Sequence, residues 1–427
     1  MAKNVTAKKR LGLVHFCIKC NGCLIFLVNM IREFLIFLRI LILSKKKFLH
    51  LWNFVVICIF NNKKLNKCFM KKYAQLYFLI FSLFTLFSCG EGGSTGRQKA
   101  AGNGGEIFVF MDSAKWKSEL GTQLREVFSA PLNGVMPAEQ IFTLRRIDPV
   151  KINKLLKSHK NVLFVTSFDD QSESSRKLQS YFPTEAKEKI KLDSNFFMIP
   201  KRDLYASEQM VLHLFGKNDE QLIANLKKNK LKLLDIYNKI ETERTANKVL
   251  KSVNQDLMTD LQNMHQINMK VLTGYQLVTS EQEVDKKSGF AWYRFPEAVL
   301  DKDIFIAYKP YISEKQFDKD SIIAWRNQIC QKYLHEDPEK ENTYLITEMA
   351  EPPVSQSIQF KGEYALETRG LWKTKNISMG GSFISYAFTD NKGRLYYIEG
   401  FVYAPDRNKR EIIREFEAIL GSFEKVL

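Results

Sequence analysis

Apolar residues along this 427-residue chain follow two spacings, and each predicts a different kind of element. Short continuous runs at Ile107–Met111, Ile141–Ile147, Val162–Phe168, Phe196–Pro200 and Gln209–Phe215 predict strands. Between the first two, Trp116, Leu120, Leu124 and Phe128 recur every four residues. That spacing predicts one helix running to about Ser129, capped by Asp112 or Ser113. Asp148-Pro149 predicts the start of a further short helix. The sequence from Asn218 to His265 carries two helical stripes: Leu222, Leu226, Leu233, Tyr237 and Ile240, then Leu250, Val253, Leu257, Leu261 and Met264. The polar stretch Glu241–Lys248 separates them, so the expectation is one long bridging helix or two helices broken near Thr245. Beyond residue 268, strands are predicted at Val271–Thr279, Phe290–Phe295, Ile304–Tyr308 and Tyr344–Thr347, with a helix over Asp318–Leu334. Four more strands follow, at Gln356–Phe360, Tyr364–Lys373, Ser382–Phe388 and Arg394–Tyr403, the last two joined by the turn signal Asp390–Gly393. A terminal helix capped by Asp406 carries Ile412, Ile413, Phe416, Ile419, Leu420 and Phe423. The predicted fold class is therefore α+β: two antiparallel-rich α/β sandwich domains, residues 106–217 and 268–427, joined by the helical segment 218–265.

A different pattern precedes these domains. Met70–Cys89 has two lysines, Lys71 and Lys72, followed by the twelve-residue apolar run Leu76–Phe87. That is the length of a signal-peptide core and too short to span a bilayer, which takes about 20 residues. The run ends in Leu86-Phe87-Ser88-Cys89, which resembles the lipobox of bacterial lipoproteins. The resemblance implies cleavage between Ser88 and Cys89 and lipid attachment at the Cys89 sulfur, with residues 70–88 as the signal. Two or three acyl chains anchor firmly where one binds marginally, at about 0.8 kcal/mol per buried CH₂. Residues 89–105 are rich in Gly and lack large apolar side chains up to Gly105, as a flexible tether would be. Residues 1–69 are expected to be upstream sequence outside the working protein. The apolar stretch Cys23–Ser44 carries Arg32, Glu33 and Arg39, which are costly in hydrocarbon, and Phe48–Phe60 is too short to span.

Charge alters this picture less than its total suggests. The formal net charge is +17, but residues 1–69 hold +12 of it and Lys71 and Lys72 another +2, leaving +3 for the remainder. A nucleic-acid partner is therefore not expected. Of seven cysteines, five precede Met70, one is Cys89 and the last is Cys330. Cys330 sits beside the apolar stripe of its predicted helix and is expected to be a small buried hydrophobe. Cys17, Cys20 and Cys23 imitate part of an iron–sulfur ligand run, but no suitable fourth cysteine follows closely.

Candidate chemistry is sparse. His335-Glu336-Asp337 gathers three titratable groups but lacks the i, i+4 histidine spacing of a helical zinc site. His213 lies in an apolar run, as a core histidine does. Gly380-Gly381 has no phosphate-loop context, and there is no GxSxG elbow. Glu367 and Arg369 stand two apart on one predicted strand and so share a face, with Trp372 on the other by parity. The three residues are a candidate ligand or partner surface, against the simpler account of a surface salt bridge. No catalytic, cofactor-binding or metal-binding set is expected.

The segments Glu367–Trp372 (ETRGLW), Met379–Phe383 (MGGSF) and Glu399–Pro405 (EGFVYAP), with the helix after them, resemble an uncharacterised lipoprotein family of the Bacteroidetes known as a domain of unknown function. The resemblance covers Met70 to Leu427. The second domain is also similar, at fold level, to Mog1/PsbP-type sandwiches, a meander followed by a long helix. Together these imply a membrane-anchored cell-envelope lipoprotein, held by lipidated Cys89 at the outer membrane facing the periplasm. It would act as a non-enzymatic binding or assembly module for an envelope partner. The alternatives are an envelope hydrolase with a site between the domains and a carrier of a hydrophobic ligand.

Overall fold

In the computed structural model the apolar runs become the strands of two sheets. It describes residues 97–297, 299–335, 339, 342–376, 379–390 and 393–425. The signal, Ser88, Cys89, most of the tether, Glu336 and Asp337 lie outside the described residues. The chain divides into two units, Met1–Ser94 and Thr95–Leu427, and everything below concerns the second.

The first sheet has five strands: β1 (Glu106–Phe110), β2 (Thr143–Ile147), β3 (Asn161–Ser167), β4 (Met198–Arg202) and β5 (Met210–Gly216), in the order β2-β1-β3-β5-β4. Its pairings are parallel except for β4 against β5. The antiparallel-rich description thus fits the second sheet and not this one. The reason is the short helices between consecutive strands, which carry the chain back across the sheet. Every residue of β3 and β5 is buried, because helices cover both faces.

The predicted first helix divides into α1 (Ser113–Lys117) and α2 (Glu119–Phe128). Asp112 caps α1, and Ser118 ends it and caps α2. At the break, Gly121 approaches the Trp116 carbonyl so closely that a Cβ would lie 2.0 Å from the oxygen. The expected stripe survives the break: Leu120, Leu124 and Phe128 are buried in the core below. After β2 comes α3 (Lys154–Lys157), and between β3 and β4 come α4 (Glu173–Gln179) and α5 (Thr184–Leu192), which close the opposite face with Leu178, Phe182, Ala186 and Ile190.

The segment expected to be one long helix or two is three: α6 (Asp219–Lys228), α7 (Lys230–Val249) and α8 (Gln255–His265). Thr245 lies inside α7. The breaks fall at Asn229 and before Asn254, whose side chain caps α8. The polar stretch stays helical because tertiary partners hold it. Glu241 is buried and accepts from Asn161 Nδ2 at 2.5 Å and Arg244 Nη1 at 2.8 Å, while Arg244 also reaches the Lys160 carbonyl.

The second sheet has eight strands and is antiparallel throughout. After the two-residue β6 (Ile267–Asn268) come β7 (Gln276–Gln282), β8 (Gly289–Glu297) and β9 (Leu300–Pro310). Helix α9 (Lys319–Tyr333) precedes β10 (Leu345–Thr347), β11 (Val354–Phe360), β12 (Glu363–Thr374), β13 (Gly380–Thr389) and β14 (Arg394–Tyr403). The order is β10-β12-β13-β14-β9-β8-β7, with β11 also on β12. Helix α9 covers one face through Ile322, Trp325, Ile329 and Cys330. The terminal helix α10 (Arg410–Leu420) covers the other with Ile413, Phe416, Ile419 and Leu420, and Leu261 of α8 joins that core.

Asp406 does not cap α10. The helix starts later, and its free N–H groups at Lys409 and Arg410 donate to the carboxylate of Glu139, at 2.5 and 3.2 Å. Glu139 lies just before β2, so the first sheet's own segment caps the last helix. Arg410 and Arg414 donate to the carbonyls of Gln140 and Ile141, both at 3.1 Å. Helix α7 packs against α10, and the two sheet lobes meet along that seam.

Candidate functional site

The pair singled out in sequence lies beneath α10. Glu367 and Arg369 share a face of β12: Arg369 Nε donates to Glu367 Oε1 at 2.8 Å and its Nη2 to Glu417 Oε1 at 2.6 Å. Gln356 of the neighbouring strand donates to the same Glu367 oxygen at 2.8 Å. The Glu367 and Arg369 side chains retain 8% and 16% of their exposure, so most of the pair is covered by the helix that carries Glu417. The structure brings Glu367 and Arg369 together and leaves Trp372 apart. Trp372 is buried on the α9 face, edge-on to Phe401 at 5.7 Å, with its indole N–H unpartnered. In this arrangement the three residues form no common surface.

A second ion pair lies on that α9 face and is wholly buried. Arg326 of α9 donates from Nε and Nη2 to Glu399 of β14, at 2.8 and 2.7 Å. Tyr397 donates to Glu399 at 2.6 Å and Arg326 to Thr347 at 3.2 Å. Every strong donor and acceptor here is matched, as a buried charge requires. Cys330, one helical turn from Arg326, is fully buried, and burial pushes its thiol up to about 12. That suits a packing residue and not a nucleophile.

Three other clusters carry potential chemistry. At the carboxyl ends of the parallel strands, where open α/β sheets bind ligands, Lys115 Nζ donates to Ser167 Oγ at 2.7 Å and Asp219 Oδ1 at 2.6 Å. Asp170 lies 3.5 Å away, so this ammonium already has anionic partners. On the second sheet, His265 is buried between Tyr308 and Ser280, with Nδ1 2.9 Å from the phenol oxygen and Nε2 2.8 Å from Ser280 Oγ. Hydrogen-bond directions that satisfy each group run from Gln282 to Tyr308, to His265, to Ser280, to the sulfur of Met264. In that sense the imidazole donates to the serine and does not activate it. Burial, with Arg394 nearby, lowers His265 to about 4. His213 stacks on Phe164, and neither ring nitrogen makes a well-formed hydrogen bond. Burial lowers it to about 4, against a smaller opposing pull from the backbone of Ile199 and Tyr181.

His335 Nε2 lies 2.8 Å from the Gln331 carbonyl. Among the described residues no three His, Cys, Asp or Glu side chains gather to hold a metal. Gly380 and Gly381 serve packing: a Cβ on Gly381 would lie 1.9 Å from the Val402 oxygen.

A concave surface lies elsewhere, where α9 crosses β8 and β9. Two adjoining hollows, of about 270 and 310 Å³, share Lys309, Trp325 and Gln328. The first also has Glu281, Glu283, Tyr308, Lys332 and Tyr333 in its walls. The second is completed by Lys315, Gln316, Ser321 and Ala324. Lys309 Nζ lies 4.0 Å from the centre of the Trp325 ring, and burial lowers its pKa. Sequence inspection missed this groove because Lys309, Lys315 and Trp325 come from a strand, a connecting turn and a helix with no shared motif. The one visible signal is the small and polar stripe Ser321, Ala324 and Gln328 beside the apolar positions Ile322, Trp325 and Ile329.

Taken together, the chain is a two-lobed α+β protein with a basic, aromatic groove on its second sheet. Family models match both lobes. Residues 100–250 match a Domain of unknown function (DUF8532), and residues 254–422 match a second Domain of unknown function (DUF4837). Their border coincides with the break between α7 and α8. No curated protein matches. Among solved structures the chain is similar to the Ran-binding protein Mog1p of Saccharomyces cerevisiae, with 9% identity over 38% of this chain and 90% of that one, at a TM-score of 0.26. It is likewise similar to a mutant of the protein Mog1, with 10% identity over 38% and 91%, at 0.25. Likeness at that level carries nothing about activity.

Proposed function

We propose that this chain is a Bacteroidetes-type lipoprotein, held in the cell envelope by acylated Cys89, whose body is a non-enzymatic binding or assembly module. The observation that carries the anchor is the run Leu86-Phe87-Ser88-Cys89 closing a twelve-residue apolar core behind two lysines. The glycine-rich residues after it suit a tether. Gly90 follows the cysteine where an inner-membrane retention signal would place Asp, which favours the periplasmic face of the outer membrane. What supports binding over chemistry is how the charged groups are used. The ion pairs under α9 and α10 fasten helices to the sheet, while Lys309 and Lys315 line a hollow with no carboxylate among its described lining residues. No helix among the described residues is long and apolar enough to cross a membrane, so attachment on this reading depends on the lipid.

Mass spectrometry of the mature amino terminus tests the anchor, with Cys89→Ala as control. The expected result is an acylated cysteine at the first position and loss of membrane association in the variant. An unmodified Cys89 within a longer peptide overturns the reading.

A further inference from the structure

The hollow formed by Lys309, Lys315, Gln328 and Ser321 differs from the other charged places on the molecule. Among the described residues no carboxylate lines it. Lys115, Lys302, Arg326 and Arg369 each meet an acidic side chain within 3 Å. Lys309 Nζ instead lies over the face of Trp325, at 4.0 Å. An anion entering beside a half-buried ammonium that rests on an aromatic ring gains from the reduced water around it. Lys315 adds a second positive charge on the same wall. Gln316 is occupied: its amide oxygen accepts from the backbone of Ile312 and Ser313, and its nitrogen donates to the Pro310 carbonyl. That fixes the turn carrying Lys315. Gln328 and Ser321 are exposed on α9 and line the hollow, so their polar side chains are available to a ligand's hydroxyl groups. About 310 Å³ accommodates a single sugar-sized molecule and not a bare ion alone.

From this arrangement we propose that the hollow binds a small hydroxylated anion, a sugar carrying a carboxylate or phosphate, with its charged group between Lys309 and Lys315. The inference deepens the binding-module reading. Such a group occurs both in soluble sugar acids and sugar phosphates and in the headgroups of anionic envelope lipids. The neighbouring hollow is a poorer place for it, since Glu281 and Glu283 line that one.

The test uses the full chain carrying Cys89→Ala, so that no acyl group contributes and the result does not depend on the anchor. Glucuronate, glucose 6-phosphate and neutral glucose are titrated by calorimetry, and sedimentation with phosphatidylglycerol vesicles forms a separate arm. The proposal expects saturable binding of the anionic sugars, at least tenfold weaker with Lys309→Gln or Lys315→Gln, and unchanged with Lys332→Gln. Thermal melting of each variant checks that it is folded. Vesicle binding that needs Lys309 and Lys315, without soluble-sugar binding, assigns the anion to a lipid headgroup and also supports the proposal. Equal binding of glucose, indifference to both lysine substitutions, or no saturation in either arm overturns it.

Discussion

The two sheets bury their helices by different means. Around the parallel sheet the helices rest mainly on aliphatic and aromatic side chains, with the Glu241–Arg244 pair of α7 bound at its rim to Asn161 and the Lys160 carbonyl, and His213 lies buried within it without a good hydrogen bond. The antiparallel sheet instead places an arginine–glutamate pair under each covering helix: Arg326 with Glu399 under α9, Arg369 with Glu367 and Glu417 under α10. Apolar packing tolerates small slips, because one aliphatic contact resembles the next. A two-pronged guanidinium–carboxylate contact does not. The second sheet thus has a two-pronged contact beneath each covering helix, whereas in the first the comparable fastening is the Glu241–Arg244 pair of α7 at the start of β3.

The largest expected effect tests the contact under α9. Glu399→Gln leaves Arg326 charged and buried without its counter-charge, and should cost about 3–5 kcal/mol in urea unfolding. Replacing both partners, Arg326→Met with Glu399→Leu, should recover most of that loss while blurring the amide spectrum of α9. If the single substitution costs under about 1 kcal/mol, which is far below the expected range, the contrast between the sheets fails.

Next comes the histidine of the first sheet. His213 titrates near 4 in the fold and near 6.5 in the unfolded chain. Between those values the unfolded chain binds a proton that the fold excludes, so stability is whole above about pH 6.5 and falls as pH drops towards 4. The loss amounts to roughly 3 kcal/mol from this residue. His213→Phe should match the wild type at pH 7 and exceed it by about that amount near pH 4. His265, lowered to the same region by burial, keeps its own share of the acid sensitivity in both proteins. An unaltered pH profile would show that His213 is reached by water.

The smallest effect concerns the seam between the lobes. Glu139→Ala removes the cap of α10 and should cost about 1 kcal/mol, the usual worth of such a contact. Faster hydrogen exchange at Lys409 and Arg410 should accompany it, with the rest of the second sheet unchanged.

Much of this architecture was legible because it depends on local spacing. The continuous runs at β3 and β5 became fully buried strands, and Ile413, Phe416, Ile419 and Leu420 became the buried face of the last helix. Strand parity placed Glu367 and Arg369 on one face and Trp372 on the other. What sequence did not convey depended on partners far along the chain. The polar stretch around Thr245 looked like a break, yet Asn161 and Lys160 hold it helical from 80 and 84 residues away. Asp406 was the nearest acidic residue to the last helix, but Glu139 caps it across 270 residues. The groove has the same origin, since a hollow is a relation between elements and leaves no period in any one of them.

That distant cap has a consequence for how the molecule is made. The chain emerges amino end first, so the loop before β2 waits with an unanswered carboxylate until the final helix arrives. Until then neither lobe has its finished flank, and proteases meet an open joint. A clipped or prematurely terminated copy would therefore be damaged in its early half as well as its late one. Helix α10 thus completes a flank of both lobes.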